Sequence, residues 1–292
     1  MSRRRAPVPD LRGRRCLITG AASGIGRATA IAAARRGAVL LLTDVNADGL
    51  AETVALVGRD GGAVAWTGAA DLADHDAVAA LAGDVHAAHG SVDVVMNVAG
   101  ISVWGPIERL EHRHWQRAVD VSLMGPINVL ECFVPPMIAA GRGGHVVNVS
   151  SAAGLLGLPW HAAYSAAKFG LRGVSEVLRF DLRRHGIGVS LVCPGGVRTP
   201  IVGTTEIVGV DRSRPAAAAF LRQFERHAKS PEHVAERILD GVERDRYMVY
   251  TSADIRIGHL AQRLLPPAYE LAMRRLNDRF VAVARASAAK TP

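Results

Sequence analysis

Short apolar, β-branched runs alternate with longer Ala-rich segments from residue 15 to about residue 250. The runs predict seven strands, at 15–19, 38–43, 63–67, 92–96, 144–150, 187–193 and 247–250. The segments between them predict helices at 25–36, 47–58, 74–89, 107–139, 162–185 and 231–243. Because this alternation is typical of a parallel sheet covered by helices on both faces, we expect a doubly wound, seven-stranded α/β domain over residues 13–254.

Two segments interrupt or follow the alternation. Residues 199–229 read as a mobile segment beside the substrate. Residues 255–292 form a basic extension in which Tyr269, Met273, Leu276, Phe280 and Val283 trace one helical stripe. Three placements of this stripe remain open: against an oligomer interface, over the substrate mouth, or on an anionic membrane surface as a peripheral contact.

The formal charge of +8 lies at the two ends of the chain. Residues 1–15, which include a basic flexible tail at 1–12, hold six Arg and one Asp, and residues 256–285 hold six Arg and two acidic residues. Residues 16–255 hold 22 basic and 24 acidic residues. A nearly neutral body without a nucleic-acid-reading motif argues against nucleic-acid binding.

Composition and the lengths of apolar runs also indicate the cellular compartment of the protein. With 49% hydrophobic and 21% charged residues, the chain can bury a large core. No apolar run reaches the roughly 18 residues of a membrane helix, and no secretory h-region follows the N-terminal arginines. The three cysteines, Cys16, Cys132 and Cys193, are expected to be reduced and buried. We therefore expect a cytoplasmic protein without a transmembrane segment.

A glycine-rich turn joins the first strand to the first helix. It runs Gly20-Ala21-Ala22-Ser23-Gly24-Ile25-Gly26, with the spacing G-x3-G-x-G. Glycines allow a sharp turn and a close approach of the backbone to a pyrophosphate, which the helix N-terminus attracts. The turn predicts dinucleotide binding in a Rossmann-like fold, although a glycine-rich turn can also be purely structural.

Asp44 ends the second strand. A carboxylate at this place can accept hydrogen bonds from the adenosine ribose diol, and it repels a 2′-phosphate. No basic residue follows it directly, which favours NAD over NADP. The alternative is that Asp44 only caps the next helix.

Ser151, Tyr164 and Lys168 form the densest candidate catalytic cluster. Ser151 follows the fifth predicted strand, and Tyr164 and Lys168 stand at i and i+4 of a predicted helix, so the last two share a face. A nearby ammonium group favours phenolate and lowers the pKa of a tyrosine. We expect Tyr164 to exchange a proton near neutral pH.

Over residues 10–250 the chain resembles the short-chain dehydrogenase/reductase family. The resemblance is carried, in family order, by Thr19-Gly20-Ala21-Ala22-Ser23-Gly24-Ile25-Gly26, Asp71-Leu72, Asn97-Val98-Ala99-Gly100, Ser151, Tyr164-Ser165-Ala166-Ala167-Lys168 and Pro194-Gly195-Gly196-Val197-Arg198-Thr199-Pro200. It implies reversible, metal-free hydride transfer between a nicotinamide and a secondary alcohol or ketone. It also implies a homodimer or homotetramer.

The resemblance further implies a role for each matching residue. Tyr164 would be the acid/base, Ser151 would hold the substrate oxygen, and Lys168 would bind the nicotinamide ribose and lower the pKa of Tyr164. The remaining cofactor contacts would come from Asp71 and Leu72 at the adenine, Asn97, Ala99 and Gly100 in the cleft, and Pro194, Gly195, Val197 and Thr199 at the nicotinamide end.

One position departs from the family pattern. Members usually carry an asparagine in the long fourth helix that supports a water next to the active-site lysine, and Ser122 stands there in Val121-Ser122-Leu123-Met124-Gly125. Asn128 is out of register for that role. A serine hydroxyl both donates and accepts hydrogen bonds, so we expect an altered proton relay. A second hypothesis is an NAD-binding regulatory or scaffold protein with weak catalysis.

Apolar residues are expected to line the substrate site. They are Ile101, Val103, Trp104, Leu155, Leu156, Trp160, Ile201 and Val202. Such a wall favours a hydrophobic alcohol or ketone of steroid, retinoid or lipid type, although the same residues can pack as core. His161 is weighed either as a substrate contact or as a residue on a surface loop.

Overall fold

The computed structural model describes residues 10–199 and 205–287, and the central element is a parallel sheet of seven strands. Its order is β3-β2-β1-β4-β6-β7-β9. The strands of this sheet are β1 Arg15–Thr19, β2 Val39–Asp44, β3 Val64–Ala69, β4 Val94–Asn97, β6 Gly144–Val149, β7 Ile187–Cys193 and β9 Met248–Tyr250. The expected seven-stranded, doubly wound fold is confirmed.

Helices cover both faces of the sheet. They are α1 Gly24–Arg35, α2 Ala47–Arg59, α3 His75–His89, α4 His112–Val119, α5 Gly125–Ala140, α6 Ala162–Asp181, α7 Pro215–His227, α8 Pro231–Glu243, α9 Ala253–Leu264 and α10 Pro266–Ser287. Successive strand residues point to opposite faces: Leu40 and Leu42 join a core with α1 and α8, while Leu41 joins a core with α3 and α5.

The order of the strands locates the ligand cleft. From β1 the chain proceeds outward to β2 and β3, then returns to β4 on the other side of β1. The connections after β1 and β4 therefore diverge, and a crevice opens at the carboxyl ends of these strands. The Gly20 turn and Asn97 both lie at this edge.

The helix predicted over 107–139 is divided into several pieces. A 3₁₀ turn at Ile107–Arg109 precedes α4, and a π-helical turn at Asp120–Met124 joins α4 to α5. Pro126 accounts for the change of pitch, because proline has no N–H to donate to the carbonyl four residues earlier, that of Ser122. Ser122 thus stands at an irregular point of the helix.

The stretch His112–Ala140 is long and apolar enough to cross a membrane by length and composition. This differs from the sequence expectation that no segment of the chain reaches such a length. Core helices of soluble proteins meet the same criterion, and α5 packs on the sheet through Val129, Phe133 and Met137.

The C-terminal extension consists of α9 and α10, and its apolar stripe faces the protein. Phe280 is only 9% exposed, and Met273 and Leu276 are half-buried. The hydroxyl of Tyr269 accepts a hydrogen bond of 2.8 Å from the backbone N–H of Gly157, in the loop that leads to α6. The stripe thus packs on the protein beside the loop that leads to α6, the placement nearest to the expected substrate mouth among the three left open by the sequence.

The three cysteines are free, as expected. Cys16 and Cys193 are buried, whereas Cys132 on α5 is half-buried. Burial raises the pKa of Cys193 to about 12, so this thiol stays protonated and takes no part in nucleophilic chemistry at neutral pH.

Candidate active site

The Gly20–Gly26 turn forms a cradle in which a side chain at Gly20 or Gly26 would collide with neighbouring backbone atoms. A Cβ at Gly26 would lie 2.0 Å from the carbonyl oxygen of Gly20, and one at Gly20, where φ is 67°, would lie 2.8 Å from Ala99. Ser23 is the N-cap residue of α1, and its side chain makes no capping hydrogen bond. The N–H groups of the first helical turn are therefore available to a ligand. These features fit the pyrophosphate of a dinucleotide.

Asp44 is held in place beside this cradle. Its Oδ2 accepts a hydrogen bond of 3.0 Å from the N–H of Ala22, and its Oδ1 accepts one of 3.0 Å from the N–H of Asn46. Arg27, at the start of α1, donates to Glu52 at 2.7 Å and to Thr53 at 3.0 Å. The site thus has a fixed carboxylate, and Arg27 is paired with an acid.

Leu72 is buried and Asp71 folds back on its own loop, where its Oδ1 accepts from the N–H of Ala73 at 3.0 Å. Asn128 donates to the carbonyl oxygen of Leu72 at 2.9 Å. The asparagine that the sequence excluded from the relay therefore supports the segment expected to contact adenine.

Asn97 is turned into the protein. Its Nδ2 donates to Asn148 Oδ1 at 2.9 Å, and Asn148 in turn donates to Ser175 at 2.9 Å. The hydroxyl of Thr19 accepts hydrogen bonds from the N–H groups of Val98 and Ala99. The Asn97 side chain thus ties β4 to β6, and the backbone after it is fixed beneath the glycine turn.

Ser151, Tyr164 and Lys168 converge at the end of β6. Ser151 is the second residue after the strand end and lies beside Tyr164, which is in the first turn of α6. Lys168 is 3% exposed, donates to the carbonyl oxygen of Val149 at 3.0 Å, and places its Nζ 5.8 Å from the centre of the Tyr164 ring. The predicted cluster is brought together.

Burial dominates the titration of this cluster. It raises the pKa of Tyr164 to about 12, against a lowering by the Ser151 hydrogen bond, and it lowers the pKa of Lys168 to about 8. The net shift of the Tyr164 pKa is upward, opposite to the direction expected from Lys168, since removal from water disfavours the charged form of each side chain.

Ser122 is fully buried and clasps the backbone of Ile101. Its Oγ accepts a hydrogen bond from the Ile101 N–H and donates one to the Ile101 carbonyl, each at 3.1 Å. A Cβ at Gly100 would lie 3.2 Å from Lys168 Nζ and 3.3 Å from Ser122 Oγ. Ser122 thus positions the loop that faces Lys168.

A cavity of about 260 Å³ opens over the cluster. Its wall brings together Ser151, Tyr164, Lys168 and the predicted Ile25, Gly100, Pro194, Gly195, Val197 and Thr199. The Thr199 hydroxyl is buried with no hydrogen-bond partner in the described part of the chain. An unpaired buried hydroxyl at the nicotinamide end suits a polar group such as a carboxamide.

Trp104 and Trp160 line a narrow apolar chamber of about 20 Å³, and Trp104 also borders the larger cavity. Trp160 has a φ of 66°, uncommon for a bulky residue. The other walls are Ile207, Val210, Ala217, Phe220, Leu221, Phe280 and Val283. Trp104 belongs to β5 (Val103–Trp104), which pairs with β8 (Glu206–Ile207).

Two of the residues predicted to contact substrate, Leu155 and Ile201, are not found in the cavity wall. Leu155 is fully buried in a core with Leu191 and Ile255, away from the cavity wall, because the turn at Ala152–Gly154 directs it under the loop. Ile201 lies outside the described residues. Phe220 also lines the chamber, with no signal for this in the sequence, whereas the helical stripe was the signal for Phe280.

Comparisons with known proteins agree with this geometry. The family profile described as short chain dehydrogenase matches residues 14–207. SadH of Mycobacterium tuberculosis, which carries the name of an oxidoreductase, is 36% identical over 265 residues, covering 90% of this chain and 95% of its own. A short chain dehydrogenase/reductase from Burkholderia phymatum in complex with NAD is 31% identical with a TM-score of 0.77, over 87% of this chain and 96% of its own.

A metagenomic short-chain oxidoreductase in complex with NADP is also similar. It is 31% identical with a TM-score of 0.66, over 82% of this chain and 96% of its own. Relatives of this fold therefore bind either dinucleotide, and the preference of this chain has to be argued from its own residues.

Proposed function

This chain belongs to the short-chain dehydrogenase/reductase family, and from that premise we propose that it is an NAD-dependent oxidoreductase acting on a hydrophobic secondary alcohol or its ketone. The observation that carries the proposal is the convergence of Ser151, Tyr164 and Lys168 in one cavity. When bound, the nicotinamide supplies the acceptor or donor of the hydride. The chain's own residues hold the substrate and move its proton.

Tyr164 and Ser151 act on one substrate oxygen. In alcohol oxidation the Tyr164 phenolate takes the hydroxyl proton, and in ketone reduction the neutral phenol returns it to the forming alkoxide. Ser151 hydrogen-bonds the same oxygen and keeps it near the Tyr164 hydroxyl. Lys168, anchored on Val149, donates to the ribose and stabilises developing negative charge on Tyr164.

The cofactor is held by the elements already described. The Gly20–Gly26 turn receives the pyrophosphate, Asp44 the adenosine ribose, and Leu72 the adenine. Thr199 offers its unpaired hydroxyl to the nicotinamide end. NAD is favoured over NADP because Asp44 is a fixed carboxylate and Arg27 is paired with Glu52.

The apolar part of the cavity wall, which includes Leu156 and Ile255, supports a hydrophobic substrate, whose carbinol would lie at Tyr164 and whose body would extend toward Trp104. Phe280 packs against Trp160 and Phe220 beside this cavity, so the C-terminal stripe would border the substrate site. We propose a cytoplasmic homodimer or homotetramer, with Phe169, Val177 and Phe180 of α6 as exposed apolar residues available to a second copy.

The proposed cofactor preference is tested with Asp44→Ala. Loss of the carboxylate removes the ribose acceptor and the repulsion of a 2′-phosphate, so kcat/KM with NAD should fall roughly 10–100-fold while that with NADP rises. Initial rates across a panel of lipophilic secondary alcohols measure both. Asp48→Ala, in the same helix–strand region but exposed, is the matched control. A wild-type protein that uses NADP better than NAD would contradict the proposal.

Opposite pH dependences are expected for the two directions of the reaction. Because burial raises the pKa of Tyr164 to about 12, the phenolate needed for oxidation becomes more abundant as pH rises, and the phenol needed for reduction is fully present at neutral pH. Oxidation should accelerate from about pH 7 to about pH 10, and reduction should stay level up to about pH 8. Profiles of kcat/KM in both directions check this, and an oxidation profile already level at about pH 7 would count against it.

A further inference from the structure

His161 is a buried polar residue in the wall of the active-site cavity. It stands directly before α6, three residues ahead of Tyr164, and is 7% exposed. It lines the same cavity as Ser151 and Tyr164. The sequence left two interpretations of His161, a substrate contact or a residue on a surface loop. Its burial excludes the surface loop.

One hydrogen bond fixes which nitrogen of His161 carries the proton. Nδ1 lies 2.6 Å from the carbonyl oxygen of Pro159, and since a carbonyl only accepts, Nδ1 is the donor. Burial lowers the pKa of His161 to about 4, so the ring is neutral at physiological pH. Nε2 therefore presents a lone pair, and the structure gives this atom no hydrogen-bond partner among residues 10–199 and 205–287.

The surroundings of the ring are mostly aromatic carbon. The Trp104 ring centre lies 4.6 Å from that of His161, the Phe280 ring 6.4 Å and the Tyr164 ring 6.5 Å. The Trp104 indole N–H is already donated to Ser102 at 2.7 Å. His161 Nε2 is therefore an acceptor in the wall of the cavity, and an occupant of the cavity can supply its donor.

We propose that His161 is a specificity-determining residue that selects substrates with a second hydroxyl next to the carbinol carbon. This hydroxyl donates to Nε2 while the carbinol oxygen bonds to Ser151 and Tyr164. The inference rests on the proposed function, since it assumes that an alcohol occupies the cavity. It narrows the substrate class to hydrophobic vicinal diols and the matching hydroxyketones.

The test compares two probes that differ by one hydroxyl, 1-phenylethane-1,2-diol and 1-phenylethanol. Each is titrated into protein saturated with NADH, which has no capacity to accept a hydride, and binding is followed by tryptophan fluorescence. One hydrogen bond to a neutral acceptor corresponds to about tenfold in affinity. We expect the wild type to bind the diol roughly tenfold more tightly than the mono-alcohol.

Two substitutions separate hydrogen bonding from packing. His161→Phe keeps an aromatic ring without the acceptor and should bring the affinity ratio of the two probes to about one, whereas His161→Gln retains an acceptor oxygen and should keep part of the preference. In steady-state assays the loss should fall on the KM for the diol more than on kcat. His112→Phe, on the exposed start of α4, is the matched control and should keep the wild-type ratio.

A wild-type ratio near one, or a preference for the diol that persists in His161→Phe, overturns the inference. The inference is also overturned if the wild type binds neither probe. The binding experiment needs no hydride transfer. Selective diol binding without NADH formation from any alcohol would contradict the proposed function alone, and equal turnover of both probes would contradict the inference alone.

Discussion

Tyr164→Phe is expected to lower kcat for alcohol oxidation by roughly 10²–10⁴-fold, the usual contribution of a positioned acid/base. The substitution removes only the hydroxyl that faces Ser151 and the substrate oxygen, and the ring packing beside Lys168 is retained. Affinity for NADH should change by no more than about twofold, because the phenol contributes little to ground-state binding. Stopped-flow or steady-state rates and an NADH fluorescence titration measure the two effects.

The control for this substitution is Tyr247→Phe. The hydroxyl of Tyr247 is buried and finds no hydrogen-bond partner in the described parts of the chain, so its removal should leave turnover at the wild-type level. If Tyr164→Phe retained more than about a tenth of wild-type kcat, the acid/base role would be wrong. A wild-type protein that binds NADH yet oxidises no alcohol would instead favour the regulatory or scaffold hypothesis.

Gly26→Ala is expected to weaken both cofactor binding and the fold. The added Cβ would lie 2.0 Å from the carbonyl oxygen of Gly20 and 3.1 Å from the nitrogen of Ala21, so the turn must open. Overpacking of this kind costs roughly 1–3 kcal/mol. We expect a lower Tm and a rise of at least about tenfold in the Kd for NADH, measured by thermal unfolding and by fluorescence titration.

Gly83→Ala is the matched glycine substitution. Gly83 lies inside α3, and a Cβ there would meet no heavy atom within 4 Å. Alanine in a helix interior is favoured over glycine by roughly 0.5–1 kcal/mol, so this variant should be slightly more stable and bind NADH normally. Gly26→Ala with a wild-type Kd and Tm would show that the glycine turn is not the pyrophosphate cradle.

The sheet and its ligand edge could be predicted because their signals are local. Leu40, Leu41 and Leu42 form an apolar run of the kind that a strand buried on both faces requires, and the Gly20 turn follows β1 directly. Strand–helix alternation then leaves few arrangements of the chain. The positions of Ser151, Tyr164 and Lys168 followed from a strand end and one helical turn.

Features that depend on distant contacts could not be predicted. The stripe at Phe280 was visible, but its partner, the chamber beside Trp160, is built from segments far apart in the chain. The periodicity of apolar residues shows which face of a helix is apolar, but it does not show what that face contacts. The pairing of β5 with β8 joins two strands of two residues each, too short for any pattern. The burial of His161 depends on that same assembly.

The upward shift of the Tyr164 pKa could not be predicted for a related reason. Sequence spacing places Lys168 near the phenol, which argues for a lower pKa, but the degree of burial is a property of the whole fold. Here desolvation exceeds the effects of neighbouring groups, and the pKa rises to about 12. Local spacing thus predicted that these residues lie together but not the effect of burial on the Tyr164 pKa.

The placement of α10 has a consequence for how the protein can change. Phe280 and Val283 shape the chamber, while the groups proposed to move the proton all lie between Ser151 and Lys168. A change in α10 can therefore alter the walls of the chamber while Ser151, Tyr164 and Lys168 stay in place. His161, three residues before Tyr164, keeps another part of the proposed selectivity in the stretch that carries the proposed chemistry, so α10 can change only part of it.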